Sequence, residues 1–205
     1  METIEKTSLT DKIINGLKKA IEELEQFRLQ ASLGKAEAKD VYEEVKKKFN
    51  LYVHEAKLQI NGIKEIAKEK STELKTALEE LQVQLALGKA ETKEIFEEQR
   101  KKITHALSSL EAFIHSNKTS NEYYTKLMME SEKFKLKLDI LHLQYKLSKL
   151  SKLEKMDEKK ESLSKILSDI KNRLAKTEKE AEGKWDHFHE EISNAYSHLK
   201  KAFVG

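Results

Sequence analysis

The chain has 205 residues, 37% charged and 38% hydrophobic, with no proline, no cysteine and 6 glycines. Its 39 basic and 36 acidic residues interleave to a net charge of +3, which argues against the one-sided basic stripe of a nucleic-acid binder. The missing cysteine excludes a disulfide framework and thiol chemistry, and the missing proline permits long uninterrupted helices.

Residues 1–8 are polar and are expected to fray. Thr10 followed by Asp11 reads as a helix cap. Ile14, Leu17, Ile21 and Leu24 then step by three and four, the spacing of a coiled-coil seam. Around Gly34 the stripe thins, and it resumes with Tyr42, Val45, Phe49, Val53, Ala56, Ile60 and Ile63.

The segment from Leu33 to Phe49 (LGKAEAKDVYEEVKKKF) returns from Leu87 to Ile103 (LGKAETKEIFEEQRKKI), an offset of 54 residues. At 3.6 residues per turn the offset is about 15 whole turns, so a helical unit duplicated with its buried stripe in phase. The units are expected at about 9–62 and 63–116. Within them Glu43–Lys47, Glu44–Lys48, Glu97–Lys101 and Glu98–Lys102 are spaced for ion pairing along the helix. Gly34 and Gly88 occupy matching positions. Neither sits in a phosphate-binding loop pattern, so each reads as a close helix crossing or a slight bend. Asn61-Gly62 is a turn signal, although Ile60 and Ile63 carry the stripe across it. Two helices over roughly 9–60 and 63–115, or one of about 160 Å over 9–115, both fit the pattern.

Ser116 to Asn121 is the clearest break, and Thr119 with Glu122 forms a capping-box pattern. A third helix is expected over about 121–181, with Met128-Met129 as core filler. Gly183 ends it. A C-terminal amphipathic helix over 184–203 carries Trp185, Phe188, Ile192, Tyr196, Leu199 and Phe203 on one side. That face either docks back on the bundle or meets a partner helix or a lipid surface.

The closing segment, Trp185-Asp186-His187-Phe188 through Ala195-Tyr196-Ser197-His198-Leu199-Lys200-Lys201-Ala202-Phe203, resembles the end of a bacterial family of small, uncharacterised coiled-coil proteins often labelled stress-related. The Gly-Lys-Ala-Glu-Ala-Lys segment of the repeat is similar to theirs, and the pattern is loosely similar to apolipoprotein helices. Tyr196 stands where that family has a second Trp, and His187 and His189 depart from it. The resemblance implies a coiled-coil architecture and a stress-linked role, with no activity to carry over.

Chemistry finds little purchase. A ferritin-type di-iron bundle needs Glu-x-x-His on two helices, and the nearest match is one Asp139-x-x-His142, which reads as surface noise. His187, His189 and Glu191 fall short of a four-ligand zinc site. No nucleophile-elbow pattern occurs. The expectation is an all-α, elongated antiparallel bundle with coiled-coil packing and no catalytic, cofactor or metal residues. It would act as a scaffold or interaction protein that pairs with itself or with another helical protein. No 18-residue apolar window and no basic-then-apolar start occur, so a cytoplasmic location is expected.

Overall fold

The computed structural model describes residues 8–31, 35–63, 66–116, 122–146, 165–173 and 184–204. They form α1 (Leu9–Ala31), α2 (Lys35–Gln59), a 3₁₀ turn (Ile60–Gly62), α3 (Lys68–Leu85), α4 (Lys93–Ser116), α5 (Glu122–Lys146), helical residues 165–173 (α6) and α7 (Lys184–Phe203). Among the described residues there is no strand, and the architecture is an all-α bundle. Residues 1–7, Gly34, the Thr119 cap, Gly183 and the third-helix stretches 147–164 and 174–181 lie outside the described residues.

Helix α5 is the axis. It packs against α1, α2, α4 and α7. Its sequence explains why. Phe134, Leu136, Leu138 and Ile140 alternate with Lys135, Lys137 and Asp139. On a helix a two-residue period turns each apolar side chain about 200° from the last, so no single dry face forms. Such a helix is satisfied only when neighbours cover it on several sides. Phe134, Leu136, Leu138, Ile140 and Leu141 are all at most 3% exposed. Each such burial is worth roughly 1.5–3 kcal/mol.

Contacts fix the directions of the neighbours. Lys12 meets Glu122 and Glu23 meets Lys133, so α1 runs parallel to α5. Phe49 stacks on Phe134 and the Tyr123 hydroxyl donates to the Ala56 carbonyl, so α2 runs antiparallel to it. Glu111 meets Lys135 and Arg100 meets Asp139, so α4 is antiparallel as well. Gly16 permits the α1–α5 contact: a Cβ there would lie 2.7 Å from the Met129 methyl.

The expected long helices are broken. At Asn61-Gly62 the chain turns and α3 packs back on α2, so a single rod over 9–115 is excluded. The helix expected over 9–60 is instead α1 and α2, which run in opposite directions along α5, and the one expected over 63–115 breaks over residues 86–92, where α3 and α4 pack against each other around the loop. Gly88 lies in this loop with nothing within 4 Å of the place a Cβ would occupy, so it is not the close crossing anticipated. The first helix is capped two residues earlier than expected, at Ser8. The Ser8 hydroxyl accepts from the Asp11 amide at 3.1 Å and donates to the Asp11 carboxylate at 3.0 Å. Thr10 is instead buried inside α1, 2% exposed.

Candidate functional site

The side chains of α7 that form its apolar side are inside the molecule. Phe188, Ile192, Tyr196, Leu199 and Phe203 are at most 3% exposed, and α7 packs on α1 and α5. The proposed interaction face is therefore covered by the chain's own helices, and burial pushes the Tyr196 hydroxyl well above its ordinary pKa. The Trp185 side chain lies outside those described. Glu191 is buried and paired with Arg173 at 2.8 Å, so it is not held for a metal alongside His187 and His189. His189 instead meets His115 edge-on, ring centres 4.4 Å apart. Among the described residues no group of three or more His, Asp or Glu is placed to hold a metal ion, and no helix is long and apolar enough to cross a membrane.

What the molecule does concentrate is buried polar contact, in two places built from equivalent repeat positions. In the first copy Lys46 is 4% exposed. Its ammonium donates to the Leu87 carbonyl at 2.8 Å, the Gly88 carbonyl at 3.3 Å and Gln99 Oε1 at 3.2 Å. It also pairs with Glu43 at 3.0 Å. Glu43 in turn accepts the Ala90 amide at 3.1 Å. Gln99 donates to the Gly88 carbonyl at 2.6 Å and accepts the Tyr42 hydroxyl at 3.0 Å. The broken backbone of the α3–α4 loop has lost its helical partners, and these side chains replace them. Tyr42 and Phe96, equivalent residues of the two copies, meet edge to face at 4.9 Å beside this latch.

In the second copy the equivalent pair is Glu97 and Arg100. Arg100 donates to Glu97 at 3.1 and 3.2 Å and reaches Asp139 at 3.5 Å. Asp139 also takes Lys200 of α7 at 2.7 Å, and His142 Nδ1 contacts Glu97. Burial works against the Glu97 carboxylate, but His142 and Arg100 outweigh it and hold its pKa below the ordinary range. Asp139 and His142 are thus not surface noise; with Arg100 and Lys200 they tie α4, α5 and α7 together. Two carboxylates and an imidazole do converge here, with Arg100 and Lys200 supplying the positive charge between them.

One turn along α5, Lys135 is held by Glu111 at 2.9 Å and by Glu132 at 3.4 Å. Burial lowers the affinity of Lys135 for its proton, and Glu111 and Glu132 more than restore it. Glu132 itself is pushed up by burial and by the neighbouring Glu111. The anticipated pairs Glu44–Lys48 and Glu98–Lys102 form on the surface. Glu43 and Glu97 turn inward to Lys46 and Arg100 instead of pairing one full turn along. The sequence carried one signal for the latch: Gln99 stands where the first copy has Val45 in the apolar stripe.

No protein-family model, curated protein or solved structure matches the chain.

Proposed function

We propose that the chain is a non-enzymatic coiled-coil scaffold that works by binding a helix-rich partner, and first of all a second copy of itself. The observation that supports this is where the interior charges go. Lys46, Arg100, Lys135 and Asp139 each engage partners on another element, which uses them to hold helices together. Recognition is then left to the outer surface. There Leu51 and Leu58 are 56% and 63% exposed and sit two turns apart on α2. Two copies meeting about a two-fold axis place Leu51 of each against Leu58 of the other, as an isologous contact requires. The family resemblance of the closing segment adds a stress-linked role to the proposal. Binding to a lipid surface through α7 requires that helix to leave the bundle, because its apolar face is already spent on α1 and α5.

Light scattering coupled to size exclusion tests the reading. The intact chain is expected to run as a dimer at micromolar concentration, and the double variant Leu51→Glu/Leu58→Glu as a monomer of unchanged helix content. A monomeric intact chain that also pulls no helical partner out of solution would sink it.

A further inference from the structure

A cleft of about 390 Å³ opens between α1, α2 and α5. Four aromatic residues, Phe27, Phe49, Tyr52 and Phe134, form part of its wall, and charged and amide side chains form most of the rest. Phe49 and Phe134 stack at 4.0 Å with their planes 11° apart, and Tyr52 lies beside Phe49 at 5.9 Å. Two lysines of α5 enter it in different ways. Lys133 is clamped by Glu23 and Glu130, each at 2.9 Å, and burial's pull on its proton is overcome by those two carboxylates. Lys137, one turn on, stands 3.6 Å from the same Glu23 oxygen that Lys133 holds at 2.9 Å, and its ammonium lies 5.6 Å from the centre of the Phe27 ring. Its side chain is 21% exposed, so the group is shielded but reachable.

We infer that this cleft captures aromatic aldehydes, with the Lys137 amine as the group that condenses with the carbonyl. The geometry favours a neutral, flat occupant. The charges on the rim are matched, Lys133 with Glu23 and Glu130 and Lys48 with Glu44, so a charged ligand would have to displace an ion pair, whereas an aryl ring has rings to lie against. The geometry also favours Lys137 over Lys133. An amine is nucleophilic only without its proton, and a shielded lysine with one carboxylate oxygen at 3.6 Å gives that proton up more readily than one clamped by two carboxylates at 2.9 Å. In keeping with this, burial lowers the pKa of Lys137, against the opposing pull of Glu23.

The step balances without an oxidant. The nitrogen lone pair forms a bond to the carbonyl carbon, and the carbonyl π pair moves to oxygen. Glu23 carries the two protons of the new ammonium centre in turn to the oxygen: the first gives the carbinolamine, and with the second the oxygen leaves as water while the nitrogen lone pair closes the C=N bond. One amine and one aldehyde give one imine and one water. This goes beyond the scaffold reading and does not depend on it, since capture is a property of the single chain.

The test is reductive trapping on the full chain. Benzaldehyde, or propanal as the aliphatic comparator, is added with sodium cyanoborohydride near neutral pH, and labelled lysines are mapped by peptide mass spectrometry. Benzaldehyde is expected to label Lys137 about ten-fold faster than Lys133 or the surface residue Lys101. The benzaldehyde-to-propanal ratio should be several-fold higher at Lys137 than at Lys101. Lys137→Arg should remove the fast site, and Phe134→Leu should lower the ratio at position 137 only. Labelling of Lys137 no faster than Lys101, or the same ratio at both residues, would overturn the inference. The wild-type rates decide it even if a variant fails to fold.

Discussion

The two copies of the repeat place an acid and a base three residues apart at the same point, and the fold uses the pairs differently. Glu43 and Lys46 grip a loop; Glu97 and Arg100 grip a helix. Residue type follows the task. Lysine is a compact point donor, and Lys46 reaches two carbonyls and an amide oxygen from a site that is 4% exposed. Arginine is a planar fork, and Arg100 spans the carboxylates of Glu97 and Asp139 from a side chain that is 20% exposed. Two segments alike in sequence therefore need not make like contacts. The second copy landed beside α5, and its pair found the charges that α5 carries between its apolar residues.

The largest expected difference between the copies is in stability. Lys46→Ala removes a buried ammonium shared by two loop carbonyls, Gln99 and Glu43, and should cost about 3 kcal/mol in urea denaturation. Arg100→Ala, at a wetter site, should cost about 1–2 kcal/mol. If Arg100 proved the more costly of the two, the contrast between a buried latch and a partly exposed strut would be broken. Next comes Gln99→Val, which gives the second copy the first copy's residue. It strips the Gly88 carbonyl, Lys46 and Tyr42 of a partner and should cost about 1–3 kcal/mol.

Acid should sharpen the contrast. Glu97 has a folded pKa below its unfolded value, so its contribution is present above the unfolded carboxylate pKa of about 4.3 and is lost as pH falls through the lower folded value. Glu132 runs the other way. Its folded pKa is raised, so the folded state gains relative stability as pH falls through that raised value. Thermal melts across the acidic range should therefore show a shallower acid loss for Glu97→Gln and a steeper one for Glu132→Gln. Matching slopes in the two variants would count against the partners assigned to Glu97 or the burial assigned to Glu132. The smallest effect is expected at Gly88→Ala. Nothing lies near the added methyl, and stability should move by less than about 1 kcal/mol.

Much of the fold was legible. The stripe Tyr42, Val45, Phe49, Val53 and Ala56 is buried as its spacing requires, and the chain turns at the Asn61-Gly62 signal. The helix breaks were less so, because residues 86–92 hold no proline and one glycine, and what stabilises the open loop there is Lys46, some 41 residues away in sequence. No local pattern reports a partner at that distance. The docking of α7 was one of two readings, since an amphipathic face looks the same whether its cover comes from its own chain or another. The polar networks were hardest to see. Lys135 and Asp139 look like ordinary solvated charges until the alternation around them is read as a helix covered on several sides.

That reading of α5 carries the rest, and native-state amide hydrogen exchange tests it most directly. The amides from Leu127 to Leu141 are expected to exchange slowest of all, opening only when the whole chain unfolds, while α3, which among the described residues packs chiefly against α2 and α4, exchanges through smaller openings. Exchange in α5 as fast as in α3 would contradict it.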